Sequence, residues 1–183
     1  MVIIDTFAVI EESLYTVQFD NEDRDELQKA FNLWNDPQFL YDFFKEHKKD
    51  LQSGFYGEIS ITEAVRITRF EAKKLQKELF KLANEGLSGK GGNLSQLFKP
   101  IEAKELGKAY EKDKAHGLGK NSWLRLYAIR INVNVFVICG SAIKLTRTMN
   151  EKQHLTIELE KLETTKKYLK TDDYEDLFYE LSL

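Results

Sequence analysis

Ser60-Ile-Thr-Glu63 opens a long apolar repeat, and that repeat constrains the fold more than any other feature of the chain. A serine followed three residues later by glutamate fits a capping box, in which the two side chains satisfy free N–H groups at a helix start. Ile61, Val65, Thr68, Ala72, Leu75, Leu79 and Leu82 then recur at alternating steps of four and three, which keeps one narrow seam against neighbouring elements. Gly86 supplies the expected stop. Such a helix needs a core to receive it, and the composition provides one. The chain has 183 residues, 42% hydrophobic and 31% charged, with two prolines and ten glycines, which excludes a disordered or collagen-like chain. At this length folding hides roughly 70% of the unfolded surface.

Upstream, Leu27, Ala30, Phe31 and Trp34 stand at the spacing of one helical face over residues 22–34. Asp36-Pro37 reads as an N-cap followed by proline at the first helical position, and Phe39, Leu40, Phe43 and Phe44 follow as a second apolar stripe. From Phe7 to Phe19 the pattern is mixed. Phe7, Ile10, Leu14 and Val17 suit a helix, whereas Tyr15, Val17 and Phe19 alternate as in a strand. The helix is the preferred reading, so residues 1–86 are expected to form a helical N-terminal region.

Gly86-Leu-Ser-Gly-Lys-Gly-Gly-Asn93 breaks the composition and marks the best boundary, with a second region over 94–183. A phosphate-binding loop would need a preceding strand and a hydroxyl residue after the lysine, where Gly91 stands, so the segment reads as a linker. Beyond it, Trp123–Ile131, Val135–Cys139 and Ala142–Thr146 read as three strands of an antiparallel meander with a turn at Asn132-Val-Asn134. Thr148-Met-Asn-Glu151 is another capping box, before a helix with Leu155, Leu159, Leu162, Tyr168 and Leu169 on its buried side, ending near Lys170. Asp172 to Leu183 suits a last amphipathic helix. The fold class expected is therefore α+β: a helical N-terminal region, a small antiparallel sheet, and C-terminal helices.

Charge is partitioned along the chain. Residues 1–60 carry a net −8, residues 61–100 a net +4, residues 101–150 a net +5 and residues 151–183 a net −4. A basic centre suits an anion such as nucleic acid, and an acidic flank could equally neutralise it within the molecule. No apolar run approaches the roughly 18 residues of a membrane span, and the N-terminus lacks a basic start, so no membrane partner and a cytoplasmic location are expected. The one cysteine, Cys139, lies mid-strand and permits no intramolecular disulfide. His47, His116 and His154 are far apart and lack metal-ligand spacing, so neither a metal nor another cofactor is expected. Serines stand outside any Gly-x-Ser-x-Gly turn.

The basic surface of the meander remains. Successive strand residues face opposite ways, so Arg125 and Tyr127 share a face, and Lys144 converges with them if the polar sets of the strands agree. Arg147 follows near the end of the third strand. The loop 110–120 brings Lys112, Lys114, His116 and Lys120 to the start of the first strand.

The order of elements over about residues 95–170 resembles the RelE/HigB-like toxins of bacterial type II toxin–antitoxin systems. Leu97-Phe-Lys-Pro100 resembles the Leu-Lys-Pro turn before the family's sheet, and Leu124-Arg-Leu-Tyr127 its arginine-bearing strand. Ile143-Lys-Leu-Thr-Arg-Thr148 resembles the basic stretch leading into an acid-rich helix. The resemblance implies a RelE-like fold for the second region and a ribonuclease that cleaves messenger RNA, often on the ribosome, by metal-independent 2′-hydroxyl attack. It further implies Arg125, Lys144 and Arg147 as catalytic residues, with His116 and Tyr127 beside them, Lys112, Lys114 and Lys120 as RNA contacts, and a small helix-turn-helix antitoxin as partner. The chain departs from the family in its acidic extension of roughly 90 residues. Related folds include gyrase-directed toxins, so a protein-binding toxin or regulator without nuclease activity is the alternative.

Overall fold

A computed structural model describes residues 1–53, 56–101, 110–146 and 153–171. The chain begins with two strands, β1 (Ile3–Ile10) and β2 (Leu14–Phe19). Four helices follow: α1 (Glu26–Asn35), α2 (Pro37–Glu46), the single turn α3 (Lys48–Leu51) and the long α4 (Ile61–Ser88). After a short 3-10 turn at Leu94–Gln96 come β3 (Lys99–Pro100), β4 (Glu111–His116), β5 (Leu124–Asn132), β6 (Val135–Ile143) and helix α5 (Gln153–Tyr168). The strands form one mixed sheet in the order β1-β2-β6-β5-β4-β3, so the class is α+β. Leu14, Leu124, Leu126, Phe136 and Ile138 face α1, α2 and α4 across the larger core cluster. Tyr15, Val17, Phe19, Tyr127 and Val137 face α5 across the smaller one.

The expected helical start is corrected: strands come first. Phe7, Ile10, Leu14 and Val17 straddle a turn in which Glu12 has φ 62° and the Ser13 N–H donates to the Ile10 carbonyl at 3.1 Å. The strand reading of Leu14–Phe19 prevails, and because β2 is interior to the sheet and buried on both faces its pattern is near-continuous, which blurred the alternation. β2 pairs in parallel with β6 over Leu14–Thr16, so stretches on both sides of Gly86–Asn93 share one sheet and one core.

The helix signals are largely met. Asp25 caps α1, Asp36 caps α2 with Pro37 first in the helix, and the Ser60 hydroxyl accepts from the Glu63 N–H at 3.2 Å. Glu63 turns to Arg66 instead of closing the box. Ala64, Thr68, Ala72, Leu75, Leu79 and Leu82 form the buried seam of α4. The stop differs: α4 runs through Gly86 and ends at Gly89, whose φ of 64° is the left-handed cap. Gly86 has another task, because a Cβ there would overlap the Asn134 amide. That amide donates to the Ala83 carbonyl and the Ser13 hydroxyl, each at 3.0 Å, and accepts from the Leu94 N–H at 3.0 Å.

The meander is also re-drawn. Val135–Cys139 and Ala142–Thr146 are not two strands; β6 runs unbroken to Ile143, with a bulge where Tyr127 pairs Gly140 and Ala128 pairs Ile138. Gly140 is a close approach and not a turn, because a Cβ there would overlap the Glu158 carboxylate of α5. The third neighbour is β4, which sequence reading left in a loop. Its inward residues include two acids, Glu111 and Asp113, made tolerable by Arg130 on β5, which donates to Asp113 at 2.7 and 3.0 Å. Helix α5 buries Leu155 and Leu162 as expected and ends at Tyr168, with the following Leu169 also buried. The capping box Thr148–Glu151, Arg147 and the tail 172–183 lie outside the described residues. Among the described residues no helix is long and apolar enough to cross a membrane.

Where β2 and β6 part beyond their three paired residues, α1 begins: the Leu27 N–H donates to the Thr16 hydroxyl at 3.1 Å. Beside it Lys161 of α5 is buried between Glu26, at 2.9 Å, and Glu158, at 3.1 Å. Glu158 also accepts from the Ser141 N–H at 2.7 Å. Burial pushes the Glu158 carboxyl up to about 7, opposed by Lys161 and reinforced by Glu26.

Two stability measurements check these packings. An ordinary helix-interior glycine gains up to about 1 kcal/mol on replacement by alanine. Gly86→Ala is expected to lose roughly 1–3 kcal/mol in denaturant unfolding because the new methyl displaces Asn134; a gain would refute that role. The folded state holds the Glu158 proton between its ordinary 4.5 and about 7, so stability falls as pH rises through that window. Glu158→Gln should therefore flatten the decline between pH 5 and 7.5 by on the order of 2 kcal/mol. Parallel pH profiles for the two proteins would contradict it.

Candidate anion-binding site

Cross-strand partners in an antiparallel pair share a face. β4 and β5 set Lys114 opposite Tyr127 and His116 opposite Arg125, so these four lie on the α5 side of the sheet, toward the start of β5. Lys144 joins them from the end of β6, where its backbone N–H donates to the Trp123 carbonyl at 2.8 Å. The Tyr56 hydroxyl donates to the Lys144 carbonyl at 2.8 Å, and its ring meets Trp123 edge-on at 5.2 Å.

Arg125 is half-buried and held from behind. Its Nη1 donates to the carbonyls of Ser122 and Leu124, both at 2.7 Å. Ser122 in turn donates its hydroxyl to Glu71 of α4 and accepts from the Leu124 N–H at 3.2 Å. Gly117 and Gly119 make room for this contact, since a Cβ at either would overlap the Glu71 carboxylate or the Ser122 hydroxyl. The 117–122 loop is therefore glycine-rich for a packing reason.

The electrostatics follow from crowding three cations around one imidazole. His116 is pushed down to about 4, first by lost hydration around the ring and then by Arg125, Lys114 and Lys144. Lys114 is lowered by burial and by Arg125. At neutral pH the imidazole is therefore uncharged and can accept a proton, while the three flanking groups can hold an anion.

Tyr127 is buried beside Arg125, and burial pushes its phenol well above the ordinary range. Lys112 is on the same face but pairs with Glu163 of α5. Lys120 is exposed in the glycine loop, and Arg147 lies outside the described residues. Cys139 is fully buried. Sequence reasoning missed Tyr56 and Glu71, which reach the site from the helical region, and no local motif marks either. It also treated the histidines as isolated, whereas the rings of His47 and His154 approach to 5.3 Å. They border a groove of about 550 Å³ with Phe39 and Phe43, where half of the aromatic stripe of α2 is spent. Among the described residues no group of three potential ligands could hold a metal ion.

No protein-family model matches the chain, and no curated protein or solved structure is significantly similar to it.

The crowding around His116 is directly measurable. In the free protein its NMR titration midpoint is expected near 4, and inorganic phosphate, by offsetting the neighbouring cations, should raise it by about one unit or more. Because binding then takes up protons, phosphate affinity should increase as pH falls through 5 toward 4. A midpoint near 6.5 that ignores phosphate would remove the site.

Proposed function

We propose that this chain is a toxin-like endoribonuclease that cleaves messenger RNA, alone or on the ribosome, by metal-independent attack of a ribose 2′-hydroxyl. The observation that carries the reading is the grouping of Lys114, Arg125 and Lys144 around an unprotonated His116. The RelE/HigB-like order of Leu97–Pro100, Leu124–Tyr127 and Ile143–Thr148 supports it independently.

Each residue has a role its surroundings suit. His116 takes the 2′-hydroxyl proton, since its lone pair is available at neutral pH. The oxygen attacks the adjacent phosphorus and the bond to the 5′-oxygen breaks, giving a cyclic phosphate. Arg125, oriented by its two carbonyl contacts, meets the charge that develops on the phosphoryl oxygens. Lys144 adds to that field. Lys114, with its lowered pKa, returns a proton to the leaving oxygen. Tyr127, buried beside Arg125, supports it without touching RNA, Lys120 and, on release from Glu163, Lys112 are further RNA contacts, and Arg147 is a catalytic candidate on the resemblance alone. The role implies a cytoplasmic setting and a small helix-turn-helix antitoxin as partner.

Purified protein incubated with messenger RNA, with and without translating ribosomes, tests the proposal. Arg125→Ala should reduce cleavage roughly a hundredfold with the fold retained, and Arg125→Lys should recover only part of it because lysine lacks the fork. Intact RNA in both incubations with folded wild-type protein would overturn the nuclease and favour a protein-directed toxin or regulator.

A further inference from the structure

We propose that β1 is a dimer edge: two copies pair their β1 strands antiparallel about a twofold axis perpendicular to the sheet, Phe7 against the partner's Phe7.

β1 is the last strand on its side of the sheet, and among the described residues no other strand pairs with its outer edge. It is eight residues long and carries one charge, Asp5, with no lysine or proline to blunt it. Soluble proteins normally block such an edge. The apolar exposure is concentrated there: Met1, Val2, Ile4 and Phe7 are 44, 61, 58 and 38% exposed, four of ten such residues among those described, all within seven positions. Apolar exposure gathered in one short edge segment marks an interaction surface more often than scattered exposure does.

The sequence of β1 selects a second copy as the occupant. A perpendicular twofold keeps each sheet face on its own side, so paired residues must share a face and their numbers must sum to an even value. Thr6 and Ala8 stand opposite Val17 and Tyr15 on the α5 side, while Phe7 stands opposite Thr16 on the other. Centring the axis on Asp5 would oppose two carboxylates. Centring it on Thr6 would press Asp5 against an aromatic ring. Centring it on Phe7 joins two rings, sets Thr6 against the partner's Ala8, and leaves Asp5 beside the partner's Val9. This last register has no like-charge pair and makes an apolar centre.

Hydrogen bonding agrees with that choice. The Thr6 N–H is taken by Asp5 Oδ1 of its own strand at 2.7 Å and so turns away from β2; pairing at the edge exchanges that bond for one to the partner's backbone. Thr6 and Ala8 are then the residues that exchange backbone bonds across the axis, and Phe7 occupies the closer, non-hydrogen-bonded position. Beside the edge a groove of about 490 Å³, bordered by Phe7, Phe31 and Phe80, offers room for the partner's ring.

Light scattering on the eluting full chain should give twice the 21.3 kDa chain mass. Phe7→Lys should weaken association by at least about tenfold, through facing charges and lost apolar contact, with unchanged far-ultraviolet circular dichroism. Phe7→Cys should form an intermolecular disulfide under mild oxidation faster than Tyr41→Cys, an exposed site remote from β1 in sequence. A wild-type chain of single mass at every concentration would overturn the proposal. So would a dimer indifferent to Phe7→Lys, or Phe7→Cys linking no faster than Tyr41→Cys.

Discussion

One side-chain amide joins the parts of this fold that are distant in sequence. Asn134, in the β5–β6 turn, bonds the Ala83 carbonyl near the end of α4, the Leu94 N–H where the chain resumes after its glycine break, and Ser13 in the β1–β2 turn. The Ser13 hydroxyl donates back to the Asn134 carbonyl at 2.8 Å, and the Phe136 N–H donates to the Ser13 carbonyl at 2.9 Å. These bonds fix the register from which β2 and β6 pair in parallel. Every backbone group they satisfy would otherwise be left at a crowded junction, where an unmade bond costs about 1–3 kcal/mol.

The buried charges divide the molecule in a way the linear charge map does not reveal. Acids of the N-terminal stretch and bases of the C-terminal stretch meet inside, as Glu26 does with Lys161. Asp113 and Glu111 are likewise turned inward against Arg130. Burying acids beside bases in this way takes the charges of Glu111 and Asp113 on β4 and of Glu158 and Lys161 on α5 out of the surface. At the start of β5, Glu71 stands behind Arg125 through Ser122, on the side away from Lys114 and His116 across the strands.

What could be read from sequence was whatever local chemistry decides. Asp36-Pro37 and Ser60 announce α2 and α4 because caps act within one turn. Arg125 and Tyr127 share a face because strand alternation is local. The β1–β2 hairpin was hidden because a stripe at helical spacing happened to span its turn. β4 was hidden because its inward residues are acids, whose partner Arg130 lies 17 residues from Asp113. Gly86 carried a misleading local meaning, a stop, when it admits the Asn134 side chain from far along the chain, and Gly140 likewise admits Glu158. The pairing of His116 with Arg125 needed the β4–β5 register, which no single strand encodes.

Cations held close together repel, and the fold supplies the restraint. Arg125 is fixed by carbonyls of its own strand's start, and Lys114 by the strand it sits on, so neither can relax away without cost to the sheet. An anion arriving there would relieve a repulsion already built in, which is how preorganisation favours an anion over water. The twofold pairing proposed for β1 would add a second dimension to this. With strands spaced about 4.8 Å apart, β4 and β5 lie three to four strands from the shared edge, so the two clusters would stand roughly 40 Å apart. The perpendicular axis would keep both on the same face. A dimer so built would carry both basic clusters on one side of the joined sheet, with the two α5 helices packed on that face between them, and the clusters would remain clear of the interface that creates it.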